Sequence, residues 1–149
     1  MLRFLFTLPA LVAMAGAACA EPASDSLIFG HAWSRPTAEG MPTGVAYLSI
    51  TNRGPKEETL IGARTPAAAR VEFHRTSIDQ GMARMRPAGE LLIAPNATLT
   101  AAPGGLHLML VDLKAPLEVG ETIPLILQFK VAGIVTVLLH VEREGVTHE

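Results

Sequence analysis

Arg70-Val71-Glu72-Phe73-His74-Arg75, then Asp79-Gln80-Gly81, then Met82-Ala83-Arg84-Met85-Arg86: this stretch reads as two strands joined by turn chemistry, a β-hairpin. If Asp79 and Gln80 form a two-residue turn, His74 and Met85 face each other across the ladder, with β-carbons roughly 5 Å apart. A bulge at Gly81 would slip that pairing by one residue. Further along stands a third strand, His107-Leu108-Met109-Leu110-Val111. Residues two apart on a strand share a face, so His107 and Met109 point together while Leu108 and Leu110 point away. Pro103-Gly104-Gly105, just before it, lets the backbone turn tightly and approach the hairpin.

Ten residues separate His74 from Met85, twenty-one separate Met85 from His107, and one separates His107 from Met109. Two imidazoles and two thioethers, with no carboxylate or thiolate, suit a soft monovalent copper ion better than zinc, calcium or magnesium. Taken singly, a strand histidine is most often a surface residue and a methionine most often fills a core gap. As a set they point to a metal site. Such a four-residue pattern would arise by accident on the order of once in several thousand chains of this composition.

Outward from this stretch, the chain is short strands with turn signals between them. Leu27 to Trp33 is the first, followed by a Gly-, Pro- and Thr-rich loop over 37–43 and a strand over Val45–Ile50. Asn52-Arg53-Gly54-Pro55-Lys56 is a strong breaker. Thr59–Ala63 is a strand, and 65–69 either makes one helical turn or crosses between sheets. After the hairpin come Leu91–Ile93, Thr98–Thr100, Leu106–Leu113, Ile123–Phe129 and Ile134–Val141, with Pro124 consigning the start of its strand to an edge or bulge. No long stretch has a 3.6-residue period, so helix content should be low. Around eight or nine strands at this spacing describe an all-β, Greek-key β-sandwich in a single domain.

The spacing of His74, Met85, His107 and Met109 resembles that of the periplasmic PCuAC-type copper chaperones. The neighbouring text is similar too: Ala32-Trp33-Ser34-Arg35-Pro36-Thr37, Ala46-Tyr47-Leu48-Ser49-Ile50-Thr51-Asn52 and Pro103-Gly104-Gly105-Leu106-His107-Leu108-Met109-Leu110. The resemblance runs from about Leu27 to Glu142. It implies a cupredoxin-like sandwich that binds one Cu(I) through those two His and two Met. It implies no enzyme activity, but delivery toward the copper centres of cytochrome c oxidase. The implied recipient is an oxidase subunit or a thiol-containing assembly factor. Family members often carry extra methionines just after the first His; here Arg75 and Thr76 stand there, so no auxiliary thioether is present.

Residues 1–20 read as a secretory signal peptide: Met1-Leu2-Arg3 is a short basic start, Phe4 to Ala18 is apolar, and Ala18-Cys19-Ala20 is a small-x-small cleavage site. The rival reading is a lipoprotein signal acylated at Cys19, which lacks the usual Leu three residues earlier. Cleavage after Ala20 leaves residues 21–149 as the copper-binding domain and removes the chain's one cysteine. No disulfide can then staple it, but a chain of this length can bury roughly two-thirds of its unfolded surface, enough for an unaided core. Net charge moves from −2 to −3 with the loss of Arg3. No basic excess argues for nucleic acid and no second apolar segment for a membrane. A periplasmic monomer is expected.

Among the other candidates, Met82 faces away from Met85 and belongs to core or rim, and loop residue Met41 could approach the site. His31 and His140 read as structural strand residues, Trp33 as a packed core aromatic, and His148 as one histidine among tail glutamates. Arg70, Arg75, Arg84 and Arg86 form either a solvated strand face or a patch for an acidic partner. Other functions compete with a chaperone. A copper-storage or scavenging protein would use the same donors. A blue-copper carrier would need a Cys thiolate that the mature chain lacks, and a copper oxygenase an open, His-dominated site. An inert interaction sandwich would leave the spacing accidental.

The donor set sets oxidation state and pH behaviour together. Thioethers do not titrate in water, so protons compete only at imidazole, and Cu(I) affinity should be flat above roughly pH 7.5 and fall below about pH 6. Competition against a Cu(I) chelator between about pH 5 and 8 reads this. Two protons released per metal well above that range, or tighter binding of Cu(II), would exclude the set.

Overall fold

Alternation builds the interior. Leu106, Leu108 and Leu110 on one strand and Ile123, Leu125, Leu127 and Phe129 on another are all buried and belong to one apolar cluster, joined by Ala46, Leu48, Ile50, Leu60, Leu139 and Val141. Only two stacked layers of strand, each with an apolar inner face, place every second residue of so many segments in one core.

Residues 23–143 are described by a computed structural model. The expected leader, with Cys19, and the tail bearing His148 lie outside them. After one 3-10 turn at Ala23–Ser26, the strands are β1 (Leu27–Phe29), β2 (Trp33–Ser34), β3 (Thr43–Asn52), β4 (Glu58–Arg64), β5 (Ala68–Asp79), β6 (Met82–Pro87), β7 (Leu91–Ile93), β8 (Thr98–Ala101), β9 (Leu106–Leu113), β10 (Thr122–Phe129) and β11 (Gly133–Val141). Their hydrogen-bonded order is β6-β5-β9-β3-β2-β11-β10-β4-β7. β3 is the corner of the assembly. Thr43–Ala46 pair with β9, while Leu48–Thr51 pair with β8 and Ile50–Asn52 with β1. The protein is a cupredoxin-like Greek-key β-sandwich, as its sequence leads one to expect.

Among the described residues the strands number eleven rather than eight or nine. The first candidate, 27–33, is two short strands that both pair with β3, their register slipping by one residue between Phe29↔Ile50 and Trp33↔Tyr47. The slip comes after Gly30, whose N–H still bonds the Ser49 carbonyl and whose backbone runs so close to β3 that a β-carbon would collide with Ser49 Oγ. Pro124 sits where expected: β10 pairs with β4 only from Ile126 onward, so the strand start has a partner on one side alone. Residues 65–67 make the crossing, without a helix. Two buried polar side chains pin loops onto the sandwich. Asn52 Nδ2 donates to the carbonyls of Lys56 and Ile93 while its Oδ1 accepts from Gly54 N–H. The Glu58 carboxylate accepts from the N–H groups of Thr59, Val131 and Ala132, tying β4 to the β10–β11 turn.

The hairpin differs from the expected register. Its central turn residues are Gln80 and Gly81, at φ 50° and 80°, and not Asp79 and Gln80. Two positive φ values mark a type I′ turn, whose twist matches the strands it joins, and glycine supplies the second at no steric cost. The pairing therefore moves by two residues: His74 faces Pro87, and Met85 faces Thr76. Because the shift is even, His74 and Met85 stay on one side of the sheet, now as diagonal neighbours. Gly81→Ala should speed amide exchange across β5–β6 about fivefold, the equivalent of roughly 1 kcal/mol. Gln80→Asn should slow it, and unchanged exchange in Gly81→Ala would contradict the turn.

Candidate metal centre

β5 lies between β6 and β9, and alternation along these three strands sorts their side chains. Val71 and Phe73 pack against the core, as do Leu106, Leu108 and Leu110. Arg70, Glu72, His74 and Thr76 of β5, Met85 of β6, and His107 and Met109 of β9 are thereby turned to the opposite face. The cross-strand partners are His74↔His107, Glu72↔Met109 and Thr76↔Met85. All four residues singled out by their spacing share this face on three adjacent strands.

The two imidazoles are 6.1 Å apart between ring centroids and tilted by 37°. Metal–nitrogen bonds of about 2 Å would hold two imidazoles on one ion with centroids roughly 5–6 Å apart. His107 is 5% exposed and His74 15% in its side chain, Met109 is half-buried, and Met85 is 51% exposed. The cluster thus grades from two enclosed nitrogens to one open thioether at the edge strand. His107 is enclosed because β9 is an inner strand, with β3 on one side and β5 on the other.

Hydrogen bonds fix the rings. His107 Nδ1 lies 3.0 Å from the Gly105 carbonyl, which can only accept, so Nδ1 carries the proton and Nε2 keeps its lone pair. The same carbonyl accepts Thr76 N–H, so the Pro103-Gly104-Gly105 turn locks loop, hairpin and ring together. His74 Nε2 lies 2.9 Å from Glu72 Oε2. His74 Nδ1 is shut off from solvent and has no hydrogen-bond partner among the described residues. A buried polar atom left without a partner costs about 1–3 kcal/mol, so this nitrogen is what a bound ion would satisfy. Among the described residues, no group of three or more His, Cys, Asp or Glu side chains is arranged to hold a metal. A soft cation taking nitrogen and thioether donors fits the cluster.

Glu72 escaped the sequence reading. Its Oε1 accepts from Arg70 Nε at 2.7 Å, and Arg70 also reaches Asp112 at 3.0 Å. The Arg70 hydrogen bond, and then that of His74, hold the Glu72 carboxyl below the usual carboxylate range, while Glu72 in turn raises Arg70. The signal was available: Glu72-Phe73-His74 in a strand puts carboxylate and imidazole on one face.

The remaining candidates fall elsewhere. Met82 pairs with Asp79 on the other face of the hairpin and is exposed, a rim residue. Arg75, Arg84 and Arg86 share that face, with Arg84 3.7 Å from Asp79. Met41 is exposed and lines a depression with Arg35 and Val45, the residue that pairs with Met109. Trp33 is not a core aromatic; it is half-buried against Tyr47, centroids 4.7 Å apart, while Ser34 takes the inward position. His31 lies between β1 and β2, stacked on His140 and 2.7 Å from Glu142, which ties the start of the chain to β11.

Comparison with known proteins gives a consistent group. The LpqE-like family model matches residues 27–141. The protein Lxx21020 of Leifsonia xyli subsp. xyli is 34% identical over 128 residues, spanning 80% of this chain and 76% of its own. The copper-bound PCuAC domain from PmoF2 matches in structure with a TM-score of 0.67 and 28% identity, over 78% of this chain and 92% of that domain. The solution structure of Cu(I)-DR1885 from Deinococcus radiodurans matches with a TM-score of 0.64 and 31% identity, over 87% and 84%.

The burial gradient has a consequence for the metal-free protein. His107→Ala should destabilise it by about 2 kcal/mol, since a buried ring is lost, whereas Met85→Leu should stay within about 0.5 kcal/mol. Urea unfolding of the two variants checks this, and equal effects would contradict the gradient.

Proposed function

The chain belongs to the LpqE-like family and, with it, to the PCuAC-type copper chaperones, and from that membership we propose that it carries Cu(I) outside the cytoplasm. In this reading His74, Met85, His107 and Met109 bind one Cu(I), and the protein passes it to a recipient. The observation that carries the reading is the opposed histidine pair, 6.1 Å apart, with a buried nitrogen that lacks a partner. The copper held by the PmoF2 domain and by DR1885 supports it.

The physical chemistry of release follows from the same gradient. None of the four donors carries charge, so each metal–donor bond exchanges without a counter-charge, and a thioether exchanges without a proton. His74 and His107 form the enclosed floor. Met85, half-exposed on an edge strand, is the first donor to yield. Its flexible thioether can swing aside as an incoming donor takes its coordination position. A recipient thiolate, softer and anionic, then draws the ion out with no change in oxidation state. Delivery to the copper centres of cytochrome c oxidase, through an oxidase subunit or a thiol-containing assembly factor, is the destination the family suggests. The family's lipoprotein name supports a location beyond the inner membrane.

Chelator competition on the wild type and single variants tests the donors. One Cu(I) should bind per wild-type chain, and His107→Ala and Met109→Leu should each weaken it by about 100-fold or more, beyond the cost of changing a residue that only orients a ligand. Met85→Leu should weaken binding least and, by leaving its coordination position open to the incoming thiolate, shorten hand-over to a thiol acceptor. Wild-type affinity in His107→Ala and Met109→Leu would sink the assignment.

A further inference from the structure

Each imidazole has two nitrogens, and only an unprotonated one can bind a metal. For His107 the Gly105 carbonyl decides which: Nδ1–H is committed to it, and Nε2 is left. For His74 the surroundings are reversed. Nε2 faces the Glu72 carboxylate at 2.9 Å, and Nδ1 is a buried atom with no hydrogen-bond partner among the described residues. An ionised carboxylate can only accept, so the proton belongs on Nε2 and the lone pair on Nδ1.

Glu72 is itself held for this task. Its other oxygen takes the Arg70 Nε–H at 2.7 Å, and Arg70 is anchored in turn by Asp112 at 3.0 Å. Arg70, Glu72 and His74 stand at alternate positions of β5, so the strand's own pleat lines up guanidinium, carboxylate and imidazole. Across the ladder Glu72 faces Met109, which brings its charge beside the donor cluster without making it a member. This is the arrangement by which an outer carboxylate orients a ligating imidazole and raises its basicity.

We propose that Glu72 is a positioning residue that holds His74 in its Nε2–H tautomer, so that Cu(I) is taken by Nδ1 of His74 and Nε2 of His107. The proposal rests on the four-donor reading above. It adds two specific features: the site is asymmetric in its nitrogens, and its affinity depends on a carboxylate that does not touch the ion. Glu72→Ala should release the ring to both tautomers and weaken Cu(I) binding by about 10–100-fold. Glu72→Gln keeps an acceptor oxygen and should lose less.

Long-range proton–nitrogen NMR of the ¹⁵N-labelled wild-type protein, with and without one equivalent of Cu(I) under reducing conditions, is the decisive experiment. The copper-free protein should show His74 protonated at Nε2. Copper should shift His74 Nδ1 and His107 Nε2, and Glu72→Ala should show averaged His74 nitrogens. A copper-induced shift at His74 Nε2, or an unaltered His74 tautomer in Glu72→Ala, overturns the role of Glu72 while leaving the four donors intact. If neither His74 nitrogen responds to copper, the four-donor reading falls and this proposal with it.

Discussion

The ladder between β5 and β9 is the constraint on which the rest depends. Its register places His74 against His107, Glu72 against Met109 and Phe73 against Leu108. That register is enforced from the other side of the sheet. Leu106, Leu108 and Leu110 must face the core, and full burial of a leucine is worth about 1.5–3 kcal/mol. A slip of one residue would turn all three outward and drive His107 and Met109 inward, at a cost of several kcal/mol. The core therefore presents the donors without forming any bond to them.

A second consequence concerns charge. The face carries neutral donors next to one ordered chain of charged groups, Asp112, Arg70 and Glu72, that ends on a histidine. A Cu(I) ion held there as proposed would bring a single positive charge to a partly enclosed place, and neutral donors would leave no excess anion to trap it. A carrier needs this balance: enough enclosure to exclude competing water, and one exposed donor through which the ion can leave. In the proposed site the gradient from His107 to Met85 would supply both, because β9 is an inner strand and β6 an edge.

Much of this could be read from the residues. Alternation in 106–111 gave both faces of β9, the breaker at 52–56 ended β3, and Pro124 marked the half-open start of β10. His74 and Met85 share one face in either register, because a turn at Gln80-Gly81 in place of Asp79-Gln80 moves the pairing by an even number. The sequence could not tell which residues of Asp79-Gln80-Gly81 would bear positive φ until the strands' twist was weighed against glycine's freedom. Burial of His107 and the outward place of Trp33 depended on which strands flank β9 and β2. Those are long-range pairings that no local pattern encodes.

Cu(I) held by two nitrogens and two thioether sulfurs on a sheet face is the central claim, and X-ray absorption at the copper edge addresses it directly. Protein loaded with one equivalent of Cu(I) should show about two nitrogen neighbours at about 2.0 Å and about two sulfur neighbours at about 2.3 Å, the sulfur contribution shrinking in Met109→Leu. A first shell of nitrogen and oxygen alone, unaltered by that substitution, would contradict the account.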